Sequence, residues 1–173
     1  ERKGQLNEQG QAKETYAVPT NWVNNGQLDV NFFTTVFDES GRPVNRKSTA
    51  TVYTQPYFLG ATNDDNYYCP VNQFMKCNLI ALDKALKPVS GKAHVQVVKH
   101  EYKTVLNKSG EYFTYNSQIE DKVLVDQTVV VSGENTAYSY MPKSNGEYEI
   151  RVAIPGANNF VRMPFYCYGS GYN

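Results

Sequence analysis

The sequence predicts an all-β protein built from two-layer antiparallel sandwiches, and three observations carry that expectation. Turn-forming residues recur about every ten positions, with alternating apolar and polar runs between them. Helical periodicity is almost absent; the longest window without Gly or Pro, Lys92 to Ser109, alternates and is rich in β-branched residues, which reads as strand. The third observation is S-N-G-E-Y-E-I-R-V, from Ser144 to Val152. Gly146, then Tyr148 two residues on, then strict alternation is how an immunoglobulin-like sandwich enters a late core strand. Tyr148 would pin the corner with its hydroxyl, and Ile150 takes the place an antibody domain gives its second Cys.

The elements follow in order. Gln11 to Val18 alternates weakly and stops at Pro19. Leu28, Val30, Phe32, Thr34 and Val36 face one side of a long strand, closed by the turn Asp38-Glu39-Ser40-Gly41. Ser48 to Thr54 returns, and Gln55-Pro56 breaks it. An Asn- and Asp-rich loop, Asn63 to Asn66, precedes Tyr67 and Tyr68. Phe74 to Leu82 is a strand closed by Asp83 and Pro88, and His94 to Leu106 is another, closed by Asn107 to Gly110. Tyr112 to Val131 is one bent strand or two. Thr136 to Met141 is short, and Gly146 to Ile154 with Asn159 to Tyr168 form a last hairpin.

Two internal matches set the domain organisation. D-E-S-G-R-P-V at Asp38 recurs as D-K-A-L-K-P-V at Asp83, so Asp with Pro43-Val44 or Pro88-Val89 is expected to punctuate a hairpin in each half. Gly26-Gln27-Leu28 opens a strand–turn–strand just as Gly146-Glu147-Tyr148 does, and in each the residue two after the Gly starts the inward-facing set. Residues 58–173 then hold roughly seven strands, one complete immunoglobulin-like domain. Residues 1–57 hold about three, the C-terminal part of a preceding sandwich, with the boundary near Tyr57 to Gly60. Such a remnant leaves a sheet face and an edge to be covered by the next domain or another copy.

Composition narrows the function. Seventeen basic residues balance seventeen acidic ones, which removes the electrostatic case for nucleic acid or an anionic membrane surface. Fourteen Tyr and eight Phe suit strands. No apolar run approaches the ~20 residues of a membrane span. With no signal peptide or initiator Met, Glu1 reads as a processing boundary.

The chemistry-bearing residues are few. His94 and His100, the two histidines, lie six residues apart in one strand. They point to the same face about 20 Å apart, too far for one metal or one catalytic centre, and no Ser or Cys with an oriented base is evident. Catalytic, metal and cofactor sites are therefore expected to be absent. Asn63-Asp64-Asp65-Asn66 offers hard oxygen ligands but lacks the register of a calcium loop and reads as a polar turn. Cys69, Cys77 and Cys167 fit no metal motif; buried strand thiols, or one disulfide and a leftover thiol, both remain open. The charged, Tyr-rich stretch Lys99 to Asp126 carries four lysines that an exposed loop would offer to a trypsin-like protease, but its alternation favours a folded strand pair. Tyr53, Tyr57, Phe58, Tyr67 and Tyr68 cluster at the domain boundary as glue between sandwiches.

At this point the residues resemble a family. V-F-D-E-S-G-R-P-V and T-A-T-V-Y-T-Q-P-Y-F-L-G resemble the end of one macroglobulin-like domain of bacterial alpha-2-macroglobulins, closest to the large forms of Bacteroides-type bacteria. C-N-L-I-A-L-D-K-A-L-K-P-V, S-N-G-E-Y-E-I-R-V-A-I-P-G and F-Y-C-Y-G resemble the whole domain that follows, so the chain is similar to part of the fifth and all of the sixth such domain. The resemblance implies a non-catalytic structural module of a broad-spectrum protease inhibitor. Its partners would be the neighbouring domains and, through the parent chain, target proteases; its place would be the periplasm or cell surface, secreted or lipid-anchored. The family's thioester motif, Cys-x-Glu-Gln, follows none of the three cysteines, and the bait segment is expected beyond Asn173. The alternative is an adhesion or glycan- or protein-binding module of a bacterial surface protein, and a hydrolase is the third reading. Fold alone does not separate them.

Overall fold

The computed structural model describes residues 2–22, 26–63, 67–110, 112–133 and 135–169. Apart from a 3-10 turn at Thr20–Trp22, its regular elements are ten strands, so the all-β, immunoglobulin-like expectation holds. They are β1 (Gln27–Phe37), β2 (Pro43–Tyr53), β3 (Phe58–Thr62), β4 (Tyr68–Pro70), β5 (Met75–Leu82), β6 (Gly91–Ser109), β7 (Tyr112–Val131), β8 (Thr136–Tyr140), β9 (Gly146–Ala153) and β10 (Val161–Tyr168).

The strands form three sheets: β1-β2, β3-β5-β8 and β4-β10-β9-β6-β7. The second and third face each other, and their alternating residues fill one core. Cys77, Leu79 and Ala81 come from β5; Val95 and Val97 from β6; Tyr148, Ile150 and Val152 from β9; Met163, Phe165 and Cys167 from β10. Burying each large apolar side chain contributes about 1.5–3 kcal/mol. All strand pairs are antiparallel except β4 with β10.

The β1-β2 hairpin stands apart from this sandwich as its own sheet. Its register pairs Leu28 with Val52, Val30 with Ala50 and Val36 with Val44 on one face. Exposure follows the period of two: Phe32 and Val36 are 38% and 37% exposed, whereas Phe33 and Phe37 on the other face are 77% and 64% exposed. That other face is polar, with Thr51 donating to Asp29, Thr49 to Asn31 and Thr35 to Asn45 across the pair.

Two expectations need correction, and a third is narrowed to one of its alternatives. Gln11 to Val18 forms no strand. Its weak alternation finds no edge to pair with; instead Tyr16 sets its ring edge-on to Phe32 at 6.4 Å, laying the segment on the hairpin's apolar face. Residues 1–57 thus carry two strands where about three were expected. Tyr112 to Val131 is a single strand, but a bulge opposite Val97/Val98 inserts Leu124, so Val123 and Val125 face opposite sides. The Asp83 turn does not close a hairpin: β5 already has β3 and β8 on its two sides, so the chain crosses to the other sheet as β6.

The matched turns themselves have one geometry. The Asp38 carboxylate accepts from the backbone N–H of Ser40 and Arg42 at 2.8 and 2.9 Å, and Asp83 accepts from those of Ala85 and Lys87 at 2.8 and 2.9 Å. A hydrogen bond from Ser40 leads in lowering the Asp38 carboxyl below its ordinary range, and one from the Lys87 backbone does the same at Asp83. The position that must enter the left-handed region is Gly41 in the first turn, at φ 78°, and Leu86 in the second, at φ 59°. A side chain there is disfavoured by about 1–2 kcal/mol, and Leu86 is exposed, so little packing compensates. Leu86→Gly is expected to raise stability by about 0.5–1 kcal/mol after the entropy of Gly is counted; urea unfolding reads it.

Candidate functional site

Tyr148 lies in the middle of the core, 1% exposed, with its ring stacked on Phe165 at a centroid distance of 5.3 Å. Its hydroxyl donates to the Ser144 carbonyl at 2.7 Å and lies 3.0 Å from the Ser144 hydroxyl. Burial pushes the phenol above its ordinary value, and the Ser144 bonds oppose that. Lys99 arches over the ring at 5.7 Å and donates to Ser144 Oγ at 2.8 Å, capping the corner. Gly146, at φ 133°, lets the chain pass under that lysine, since a Cβ would stand 3.1 Å from Lys99 Cε.

The other residues singled out from sequence sit at joints. Gly26, at φ 83°, accepts the backbone and side-chain bonds of Thr54 at 2.7 and 2.8 Å, closing the foot of the β1-β2 hairpin. Gln55 then donates to Asn159 at 3.0 Å, linking that foot to the loop before β10. The Tyr57 hydroxyl donates to the Lys92 carbonyl at 2.8 Å and accepts from the Lys92 N–H at 2.9 Å. Its ring fills the space over Gly91, where a Cβ would stand 2.6 Å away. Pro43 opens β2 opposite Phe37, and Pro88 bridges to Leu82 beneath Gly133. The boundary aromatics split: Tyr53 meets Phe58 at 6.0 Å, while Tyr67 and Tyr68 pack beside β10, with Tyr68 6.4 Å from Tyr166.

A charged cluster on the outer face of the five-stranded sheet is what sequence reasoning missed. Glu149 alternates with Tyr148 and Ile150, so it points away from the core, yet it is 1% exposed. Arg151 and Arg162 both donate to its carboxylate, the latter through Nε at 2.9 Å and Nη2. Arg151 also reaches Asp121 at 2.6 Å, and His100 holds Asp121 through Nδ1 at 2.8 Å. Burial pushes the Glu149 carboxyl up, but the two arginine bonds outweigh it and leave it below the ordinary 4.5. The arginine bond likewise lowers Asp121. A cleft of about 400 Å³ opens beside this cluster, lined also by Tyr67, Ile119 and Glu147. The only signal in the sequence was the polar half of the β9 alternation; Arg162 joins it across the last hairpin, and Asp121 and His100 come from β7 and β6.

The cluster is saturated rather than reactive. Every carboxylate oxygen of Glu149 is taken by a cation, so it offers no free base. His94 is bound separately, to Asp126 at 2.7 Å. Among the described residues no group of His, Cys, Asp and Glu could hold a metal; Asp64, Asp65 and Asn66 of the sequence's candidate loop lie outside them. Among the described residues no helix is long and apolar enough to cross a membrane.

The second feature the sequence did not foresee is an arm. β6 pairs with β9 only as far as His100, but β6 and β7 stay paired to Ser109 and Tyr112. The two-stranded part extends roughly 30 Å at ~3.3 Å per residue. The register puts Tyr102 with Ile119, Leu106 with Tyr115 and Lys108 with Phe113 on one face, and Glu101 with Glu120 and Lys103 with Gln118 on the other. The five apolar residues of the first face are all exposed. The folded strand pair, not a free loop, is therefore what Lys99 to Asp126 forms.

Residues 61–169 match the family model described as bacterial macroglobulin domain 6. No curated protein matches the chain. Solved structures share its fold at 18% identity. The native conformation of Escherichia coli alpha-2-macroglobulin, seen by cryo-electron microscopy, superposes with a TM-score of 0.53 over 82% of this chain and 10% of that one. Salmonella alpha-2-macroglobulin reacted with methylamine gives 0.51, over 82% and 10%. Escherichia coli alpha-2-macroglobulin activated by porcine elastase gives 0.53, over 85% and 13%. The chain thus spans about a tenth of the length of these structures.

Three variants test this geometry. Tyr148→Phe is expected to lower stability by about 0.5–1.5 kcal/mol, one lost hydrogen bond. Gly91→Ala forces Tyr57 off its seat and should lower it by about 1–3 kcal/mol. Replacing both Arg151 and Arg162 by Ala leaves the Glu149 carboxylate without its two arginine partners and should destabilise the chain at pH 7. Since Glu149 is depressed in the native chain, its contribution is present above pH 4.5 and lost as pH falls through the lower folded value. In the double variant the two arginine bonds that lowered the carboxyl are gone and burial raises it, so that protein regains stability as pH falls from the raised value toward 4.5. The gap between the two denaturation curves should narrow on acidification.

Proposed function

The chain belongs to the bacterial macroglobulin domain 6 family, and on that premise we propose that it is a non-catalytic structural module of a bacterial alpha-2-macroglobulin-like protease inhibitor. The parent is a broad-spectrum inhibitor that traps proteases; this piece sets the spacing between its neighbours. The observation that carries the reading is the joint. Tyr57 is hydrogen-bonded twice to Lys92 and seated on Gly91, which fixes how the chain enters the sandwich at β3. A rigid entry suits a module whose task is geometry.

In this reading residues 1–57 are the C-terminal part of one macroglobulin-like domain and residues 58–173 a complete one. The separate β1-β2 sheet, with an apolar face covered in part by the Tyr16 segment, supports that division. Tyr148, Gly146, Gly26, Pro43, Pro88 and Tyr57 then have structural roles as corner, turn and joint residues. The neighbouring domains of the parent are the direct partners, and target proteases are met through the parent. The parent is placed in the periplasm or at the cell surface.

The exposed aromatic face of the β6-β7 arm favours a second reading, a protein- or glycan-binding module. The test uses both the chain and its parent. The parent is expected to shield a bound protease from protein substrates while leaving small peptide substrates cleavable; the chain alone should do neither. Binding of glycans or of a foreign protein by the chain alone, lost on Tyr115→Ser, would replace the scaffold reading by the second one.

A further inference from the structure

Cys69 on β4 and Cys167 on β10 are directly opposed in register. The pair joins the two parallel strands of the sandwich, and both side chains point into the core, 3% and 0% exposed. One residue back, on the opposite face, Tyr68 and Tyr166 touch with centroids 6.4 Å apart, which marks this register as a close one. Cys77 lies on β5 in the facing sheet, opposite Tyr138. All three are free thiols here.

We propose that Cys69 and Cys167 are a disulfide pair, formed when the chain folds in an oxidising compartment, and that Cys77 stays a thiol. Neighbouring strands lie about 4.8 Å apart, inside the roughly 4.4–6.8 Å window of Cα separations that a disulfide spans. The Cβ atoms must draw closer than in a regular ladder. β4 is three residues long and edges its sheet, so it can supply that movement. Cys69 gives up only two weak thiol bonds, at 3.5 Å, to the carbonyls of Pro70 and Gln73. Burial and then Cys69 itself raise the Cys167 thiol, whereas burial alone pushes Cys77 up to about 11.

The chemistry is an exchange with a small-molecule disulfide such as oxidised glutathione. One cysteine thiolate attacks it to give a mixed disulfide and one reduced glutathione. The second cysteine displaces the other glutathione as the Cys69–Cys167 bond forms. Two protons and two electrons leave the cysteines, and the oxidant takes up both. Once the core has closed, raised thiol pKa values and burial exclude this exchange, so the bond belongs to folding. The bond would tie the edge strand to the second strand of the last hairpin, closing a loop of about 100 residues.

Refolding the chain from denaturant in a mixture of oxidised and reduced glutathione tests the pair, independently of what the parent does. Thiols counted after denaturation of the folded fraction should fall from three to one, and non-reducing peptide maps should join the Cys69 and Cys167 peptides. Cys77→Ser should refold to no free thiol. The oxidised chain should melt about 10 °C above the reduced one. Three thiols in the refolded chain, or any link through Cys77, overturns the proposal.

Discussion

The structure depends on β9 being a strand with two loaded faces. It is hydrogen-bonded to β6 on one side and β10 on the other, so its residues can only alternate between the two surfaces of the sheet. Tyr148, Ile150 and Val152 go inward and form the middle of the core. Glu147, Glu149 and Arg151 go outward. A one-residue slip would bury three charges in the core and expose three of its apolar residues, so the register is strongly held. The Tyr148 hydroxyl then fixes where the strand begins by holding the Ser144 carbonyl, two residues before the strand's first residue, Gly146.

The outward half of that alternation makes a second interior. Glu149 is as buried as Ile150, but its neighbours are cations. A carboxylate stays charged in such a place only when its oxygens are filled, and Arg151 and Arg162 fill them. This is structural chemistry. It gives the five-stranded sheet a rigid outer face and leaves no free base. The arm of β6 and β7 grows from the edge of that face, beyond the point where β9 stops supporting it. What is anchored there is a lever with one apolar and one polar side.

Much of this was legible in the chain. Turn spacing and alternation located the longer strands, because a sheet's period of two is written directly in the residues; β3 and β4, five and three residues long, are too short to show it and were not foreseen. The Asp38 and Asp83 matches found two turns with the same hydrogen bonds, because an Asp side chain recognises backbone N–H groups only two and four residues away. The same match misjudged the second turn's destination. Local geometry fixes the bend; which sheet receives the next strand depends on edges already occupied. The weak alternation of Gln11 to Val18 failed for a similar reason, since a strand exists only where another offers its edge.

The sequence by itself determined the fold class, the positions of the longer strands and the corner at Tyr148, all consequences of short-range periodicity and spacing. Only the tertiary structure decided that Glu149 is buried among arginines, that the Leu124 bulge turns β7 over, that β6 and β7 outrun their sheet, and that Cys69 faces Cys167. Most of these are meetings of residues far apart in the chain, and Arg162, thirteen residues from Glu149, meets it through the β9-β10 pairing. Such meetings are set by strand order and register, which no window of sequence contains.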